Sequence, residues 1–183
     1  MRKARFDAEY LQHIHQSVSL DPVIYEQREL SLVGLHTRFF SVDSEKNNLA
    51  RKLPKLWQQM LDRLHEVPHV VGETGYGLIR QTPAQTDELD YFAVFEVSKV
   101  EALPPGMVHV TLPAAQYAKF THHGLPMNLN NTVNYIYSSW LVTSGFRHTY
   151  ATDLEIYGPA YIPGSEQSVV NYAIPVELAS VFS

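Results

Sequence analysis

The feature that most restricts what this chain can fold into is an internal repeat. At an offset of 81 residues, Arg38-Phe39 is matched by Lys119-Phe120, Tyr76-Gly77 by Tyr157-Gly158, Tyr91 by Tyr172 and Glu96 by Glu177, while Asp90 is answered by Asn171. Trp57 precedes Trp140 by 83 residues, a slip of two from the same register. Matches that keep one register in separate places point to a tandem duplication, and self-similarity of that kind decides architecture before any single element does.

Both halves read as the same order of elements. In the first, Leu30–Phe40 (LSLVGLHTRFF) has a β-rich start. Ser44–Val67 then carries Leu49, Leu53, Leu56, Trp57, Met60, Leu61 and Leu64 at helical spacing, with Pro54 inside the pattern. Tyr76–Thr82 and Tyr91–Ser98 read as strands joined by the polar stretch Pro83–Asp90. In the second half, Met107–Leu112 and Gln116–His122 form one long strand, or a bent one broken at Pro113. Leu129, Val133, Ile136, Tyr137, Trp140 and Leu141 make a helical face that Gly145 stops. Leu154–Tyr157 and Val169–Val176 supply two more strands, and Pro175 suggests an edge or a bulge.

The joint between halves is Leu103-Pro104-Pro105-Gly106. The expectation is therefore an α+β fold of two β-α-β-β repeats, 21–102 and 103–183, related by a pseudo-twofold axis. Their strands would join in one antiparallel sheet, with two helices on one face and a central pocket at the axis. Residues 1–20 stand outside the repeat as an N-terminal extension, where Phe6, Tyr10, Leu11 and Ile14 fall at the spacing of a short amphipathic helix.

Composition removes whole classes of function. The 183 residues include no Cys, which excludes a disulfide framework, a thiolate zinc site and a Cys nucleophile. No apolar run approaches the roughly 18 residues of a membrane span. The N-terminus lacks the unbroken apolar stretch of a signal peptide. A cytoplasmic protein without a membrane partner is expected. Lys plus Arg is 14 against 19 for Asp plus Glu, a net charge of −5 and a poor basis for binding phosphate backbones. With 11 Tyr, 8 Phe and 2 Trp, aromatic surface is the unusual resource.

No cofactor or metal motif emerges. GETGYG, residues 72–77, does not fit G-x-G-x-x-G and runs into a strand. There is no G-x-S-x-G elbow. His13-x-His15, His109, His122-His123 and His148 complete no recognised ligand spacing.

Alternation along the strands selects a candidate site. In Asp153-Leu154-Glu155-Ile156-Tyr157, Glu155 and Tyr157 share one face while Leu154 and Ile156 share the other. The repeat relates Tyr76, Tyr91, Tyr157 and Tyr172 in pairs, so these four would line the middle of the structure. At the 81 offset the partner of Glu155 is Thr74, so the carboxylate breaks the symmetry. A carboxylate facing aromatic rings costs several kcal/mol to bury unless it is paired or protonated. Arg147 is the nearest basic residue in sequence. Two readings stay open from the residues alone. One is a Glu solvated at a strand end or paired with an Arg. The other is a carboxylate neutralised by a ligand cation, with tyrosine rings adding about 0.5–2 kcal/mol each through cation–π attraction. Of the two tryptophans, Trp140 is the better site candidate, because its helix belongs to the half that carries Glu155.

The second half also resembles a known family. LPPGMVHVTLPAAQYAKFTHHG, YIYSSWLVTSGFRH, DLEIYGP and NYAIPV, in that order, are similar to the effector-binding domain of AraC-type regulators. The same family includes the gyrase-inhibitory-protein-like single-domain proteins and the drug-sensing domain of the multidrug regulator of bacilli. The likeness extends back through DPVIYEQRELSLVGLHTRF and LPKLWQQML, so it covers about residues 21–183. It implies two β-α-β-β units about a pseudo-twofold and a central pocket for lipophilic, often cationic, small molecules. An acidic residue in the motif matching Asp153–Tyr157 contacts the ligand, which maps onto Glu155. Trp140, Tyr157 and Tyr172 match the surrounding aromatics, and Tyr76, Tyr91 and Tyr117 extend them by symmetry.

Some single-domain relatives hydrolyse reactive cyclopropane-bearing toxins with that same Glu, and others act on DNA gyrase. The resemblance thus implies a non-enzymatic, cofactor-free binder of lipophilic cations, with a Glu155 hydrolase and a gyrase inhibitor as alternatives. A pair of DNA-reading helix-turn-helix units needs roughly 100 residues, and only about 20 precede the domain. Direct nucleic-acid recognition is not expected; such a domain could still regulate through a partner protein, or simply sequester a toxic compound.

Overall fold

The computed structural model describes residues 18–19, 21–83 and 86–179. The helical spacing read between Phe6 and Ile14 lies outside them. The first repeat supplies strands β1 (Val23–Gln27), β2 (Leu30–Phe40), β3 (Val70–Gln81) and β4 (Glu88–Val97) and helix α1 (Leu49–Asp62). The second supplies β5 (Val108–Leu112), β6 (Ala115–His123), β7 (Phe146–His148), β8 (Asp153–Tyr157) and β9 (Val169–Leu178). Helix α2 runs from Leu129–Tyr135 through a π turn at Ile136–Trp140 to Leu141–Thr143.

Each repeat opens with one strand more than the β-α-β-β expectation. β1 is short, and its five residues VIYEQ carry no clean alternation to announce it. β5 and β6 do not form one bent strand, because the chain changes partners at Pro113-Ala114. α1 starts at Leu49 instead of Ser44, so Pro54 falls inside the helix, on an exposed position. Among the described residues no helix is long and apolar enough to cross a membrane.

Eight strands run in the antiparallel order β1-β6-β9-β8-β3-β4-β2-β5, and β7 adds to the far end of β9. The central pair is β3–β8, and the order reads the same from both sides of it. The pseudo-twofold relates β3 to β8, β4 to β9, β2 to β6 and β1 to β5. The first strand of each repeat is lent to the other, since β1 pairs with β6 and β5 pairs with β2.

This connectivity forces the sheet to roll. Only Arg28-Glu29 separate β1 from β2, and only Pro113-Ala114 separate β5 from β6, although each pair lies near opposite ends of the order. Three residue steps span at most about 11 Å, so the ends must approach one another. The inside of the roll is filled by Leu30, Leu32, Leu78, Phe92, Val94, Leu112, Tyr117, Leu154 and Ala173, with no helix among the described residues on that side.

The alternate residues face outward and need the helices to cover them. α1 buries Leu53, Leu56 and Met60 against Val33, Phe39 and Phe95. α2 buries Leu129 and Ile136 against Phe120, Val170 and Ile174. Full burial of one such side chain contributes roughly 1.5–3 kcal/mol. The two helices cover the two halves and leave the central β3–β8 pair open between them, and that opening is the cleft.

Candidate functional site

The cleft has a volume of about 1650 Å³. Its floor is β3 and β8, and its walls are α1 and α2. The strand register fixes what the floor presents. Gly75, Gly77 and Ile79 of β3 lie opposite Tyr157, Glu155 and Asp153 of β8. Side chains alternate, so these six positions share the outer face while Tyr76, Leu78, Leu154 and Ile156 turn inward. A Cβ on Gly77 would fall 2.3 Å from Tyr91 Oη and 2.7 Å from Glu155 Oε2. A Cβ on Gly75 would fall 3.1 Å from the Trp57 ring. The two glycines are the space that lets large side chains from neighbouring elements close over the floor.

Glu155 is 9% exposed and receives a directed chain of hydrogen bonds. Trp57 Nε1 donates to Tyr91 Oη at 2.7 Å. Tyr91 Oη in turn donates to Glu155 Oε2 at 2.6 Å, and Tyr157 Oη donates to the same oxygen at 2.9 Å. Because an indole N–H can only donate, the Tyr91 hydroxyl is oriented toward the carboxylate. Oε1 of Glu155 has no hydrogen-bond partner among the described residues. Burial pushes the Glu155 carboxyl above its ordinary range, against the lowering effect of the two tyrosine hydroxyls, and the neighbouring Asp153 adds to the rise. Tyr91 and Tyr157 are pushed well above the usual phenol range, first by burial and then by the Glu155 charge.

Among the described residues no protein cation answers this charge. Arg147, the nearest basic residue in sequence, pairs with Glu177 at 3.0 Å on the surface. Of the basic side chains along the cleft, Lys46 lies over the Phe40 ring and Arg80 over the Phe92 ring. The lining holds Asp43, Glu45, Glu73, Asp87, Asp153 and Glu155 against Lys46 and Arg80, six acids to two bases. The cleft is therefore electronegative and enclosed by low-dielectric walls, which focuses its field on cations.

Aromatic rings complete the enclosure. Trp57 meets Tyr157 at 5.1 Å between centroids, and Tyr157 meets Tyr161 at 5.0 Å, both edge to face. Tyr172, Tyr137 and Tyr150 line the α2 side.

Of the residues selected from sequence, the structure brings together Glu155, Tyr157, Tyr91 and Tyr172 at the cleft. It places three elsewhere. Tyr76 lies opposite Ile156 and packs at the margin of the inner core. The outward positions of β3 and β8 are all odd-numbered, so an offset of 81 turns the side chain over between these two strands. Tyr117 is also inside the roll, 1% exposed, with its hydroxyl donating to the Thr152 carbonyl at 2.8 Å. Trp140 stacks on Phe146 at 5.8 Å and meets Phe120 edge-on at 5.1 Å, in the core beneath α2.

Trp57, ranked below Trp140 by the sequence argument, is the tryptophan of the cleft. Leu129, Val133, Tyr137 and Leu141 reach it from α2 in steps of four. Such steps drift by about 40° each on an ideal helix, and the wider π turn at Ile136–Trp140 takes up part of that drift. Asp153, Tyr137, His148 and Tyr161 also belong to the site. Asp153 was legible, since it shares the alternation of Glu155. The others arrive from elements whose packing no local pattern reveals.

Fold and cleft together define a ligand-binding module made by duplication, with a buried acid among aromatic rings. The chain belongs to the family described as the GyrI-like small molecule binding domain, whose sequence model matches residues 21–177. It is 33% identical over 124 residues to the transcriptional regulator BrlR of Pseudomonas aeruginosa, a match covering 67% of this chain and 45% of that protein. The chain thus spans less than half the length of this curated relative. Among solved structures it is similar to SAV2435 bound to tetraphenylphosphonium, with a TM-score of 0.67, 14% identity, and coverage of 86% of this chain and 94% of the other. It is also similar to an integron cassette protein of Vibrio cholerae, with a TM-score of 0.61, 21% identity, and coverage of 88% and 97%. At these identities the structural likenesses establish the curled antiparallel sheet with its two helices.

Proposed function

We propose that this chain binds lipophilic organic cations in the cleft, without consuming them. Glu155 supplies the counter-charge, and Trp57, Tyr91, Tyr157 and Tyr172 supply apolar surface and ring faces. One observation carries the reading: a 9% exposed carboxylate that, among the described residues, accepts only from neutral hydroxyl donors and keeps one oxygen unpartnered in an aromatic cleft. A buried charge without a partner is costly, and a visiting cation removes that cost. The six-to-two excess of acids over bases along the lining supports the same sign of ligand. So does the similarity to SAV2435, whose structure holds tetraphenylphosphonium. The likeness to part of a transcriptional regulator supports the view that occupancy is read out by another segment or a partner protein.

The test is a calorimetric titration with tetraphenylphosphonium, with tryptophan fluorescence followed in parallel. Saturable binding that weakens about tenfold or more in Glu155→Gln is the expected result. No binding of any lipophilic cation, or binding indifferent to Glu155→Gln, overturns the reading. A raised carboxyl at Glu155 also suits general acid–base chemistry. Incubation with a cyclopropane-bearing electrophile separates the two, since Glu155-dependent product formed over many turnovers would make the protein a hydrolase.

A further inference from the structure

We propose that the cleft holds a second cation subsite at Asp153, so that it prefers ligands with two positive centres about 6–7 Å apart over ligands with one. This rests on the cation-binding reading above and extends it to a ligand class.

Asp153 and Glu155 are two residues apart on the same face of β8, and both line the cleft. Residues so placed are separated by two strand steps, which sets the spacing. Asp153 is 7% exposed. Its Oδ2 accepts from Tyr137 Oη at 2.5 Å and from Tyr172 Oη at 2.8 Å. Its Oδ1 lies 2.8 Å from His148 Nε2. The backbone N–H of Tyr150 donates to His148 Nδ1 at 2.8 Å. Nδ1 is therefore the ring's acceptor, which leaves Nε2 to carry the hydrogen toward Asp153 as a neutral imidazole.

All three donors are thus uncharged, and they come from α2, β9 and β7. The position facing Asp153 from β3 is Ile79. No Lys or Arg nitrogen reaches it among the described residues. A carboxylate offers about four acceptor positions, and three are filled. Asp153 therefore repeats the situation of Glu155, a negative charge held by neutral groups beside the same cavity. A single cation placed over Glu155 leaves the second carboxylate unanswered.

The rim above Asp153 is built for a second head group. Tyr137 and Tyr150 are 38% and 89% exposed and line the mouth of the cleft. Tyr150 holds a backbone φ of 61°, a conformation uncommon for a bulky side chain. Its hydrogen bond to His148 ties that backbone to the ring beneath. Two ring faces beside a charge are the arrangement that retains an organic ammonium group.

The experiment compares matched ligands on the whole chain by calorimetry. The probes are 1,4-bis(benzylammonio)butane and its analogue with one nitrogen replaced by carbon. After the twofold statistical factor of a symmetric ligand is removed, the dication should bind about tenfold tighter or more. That ratio should collapse toward one in Asp153→Asn. A second series needs no variant: dications with two, four and eight methylenes between the nitrogens should give the tightest binding at four. A ratio near one with no length optimum, while the monocation still binds in a Glu155-dependent way, overturns the second subsite alone. Failure of every probe to bind overturns the cation-binding reading beneath it.

Discussion

Gly77 stands opposite Glu155 across the central strand pair, and the side chain it lacks is the space in which the carboxylate meets Tyr91. A methyl group there would lie 2.3 Å from the Tyr91 hydroxyl and 2.7 Å from the Glu155 carboxylate, distances at which one of them must leave. Gly77→Ala should therefore lower stability by about 1–3 kcal/mol, the usual cost of overpacking. It should also weaken cation binding about tenfold, because the Trp57–Tyr91–Glu155 chain is broken. Thermal denaturation and calorimetry check the two effects. An unchanged melting temperature together with unchanged affinity would show that the floor is not packed in this way.

The pH dependence has two opposed arms. Burial raises the Glu155 carboxyl above its ordinary 4.5, so the folded state holds that proton more tightly than the unfolded state does. The stability this contributes is fully present below pH 4.5 and is lost as the pH rises through the raised value. Ligand affinity runs the other way, since only the ionised carboxylate attracts a cation. Over this window the melting temperature of the free protein should gain a falling component while affinity climbs. Both slopes should flatten in Glu155→Gln. Melting curves and titrations at stepped pH decide it, and parallel slopes in the variant would assign the effect to another group.

Ligand titration should be visible through one tryptophan alone. Trp57 lines the cleft and hydrogen-bonds Tyr91, whereas Trp140 is packed between Phe120 and Phe146. Saturating ligand should quench emission in the wild-type chain and in Trp140→Phe. The change should vanish in Trp57→Phe. A ligand response that survives Trp57→Phe would put the binding site elsewhere.

Two tyrosines one strand apart test the two faces of the sheet. Tyr91→Phe removes a donor to Glu155 and should reduce cation affinity about threefold to tenfold, the net contribution of one ordinary hydrogen bond. Tyr76→Phe lies on the far side and should leave affinity within about twofold, the scatter of ordinary surface changes. The reverse order would mean that the cleft opens inside the roll.

Much of this site was readable from short-range alternation. In DLEIY the period of two suffices to put Glu155 and Tyr157 on one side and Leu154 and Ile156 on the other. The repeat then pairs Tyr91 with Tyr172, and β4 and β9 keep that 81-residue register in space. The same number fails for Tyr76, because β3 and β8 meet in a register where equivalent faces differ by an even count. A slip of one residue is nearly invisible in a faint repeat, yet it moves a side chain from one face of a sheet to the other. Trp140 was misplaced for a different reason. Ile136, Tyr137, Trp140 and Leu141 satisfy one helical stripe in sequence, but that stripe meets two surroundings: Ile136 and Trp140 pack in the core, Tyr137 lines the cleft and Leu141 touches both. The repeat and the family resemblance agree on the overall fold, whereas the convergence of Tyr137, His148 and Tyr172 on Asp153 depends on three elements meeting, which spacing along one chain does not encode.

The exchange of β1 and β5 has a consequence for how such a molecule holds together. Each half donates its leading strand to its counterpart, so neither possesses a finished edge of its own. Severed at the Pro-Gly linker, the fragments would behave as interlocking partners, each presenting an unfilled groove that the other's arm completes. A protein built in this way is an embrace of two subunits written into one polypeptide. Its binding cavity exists only while both are clasped.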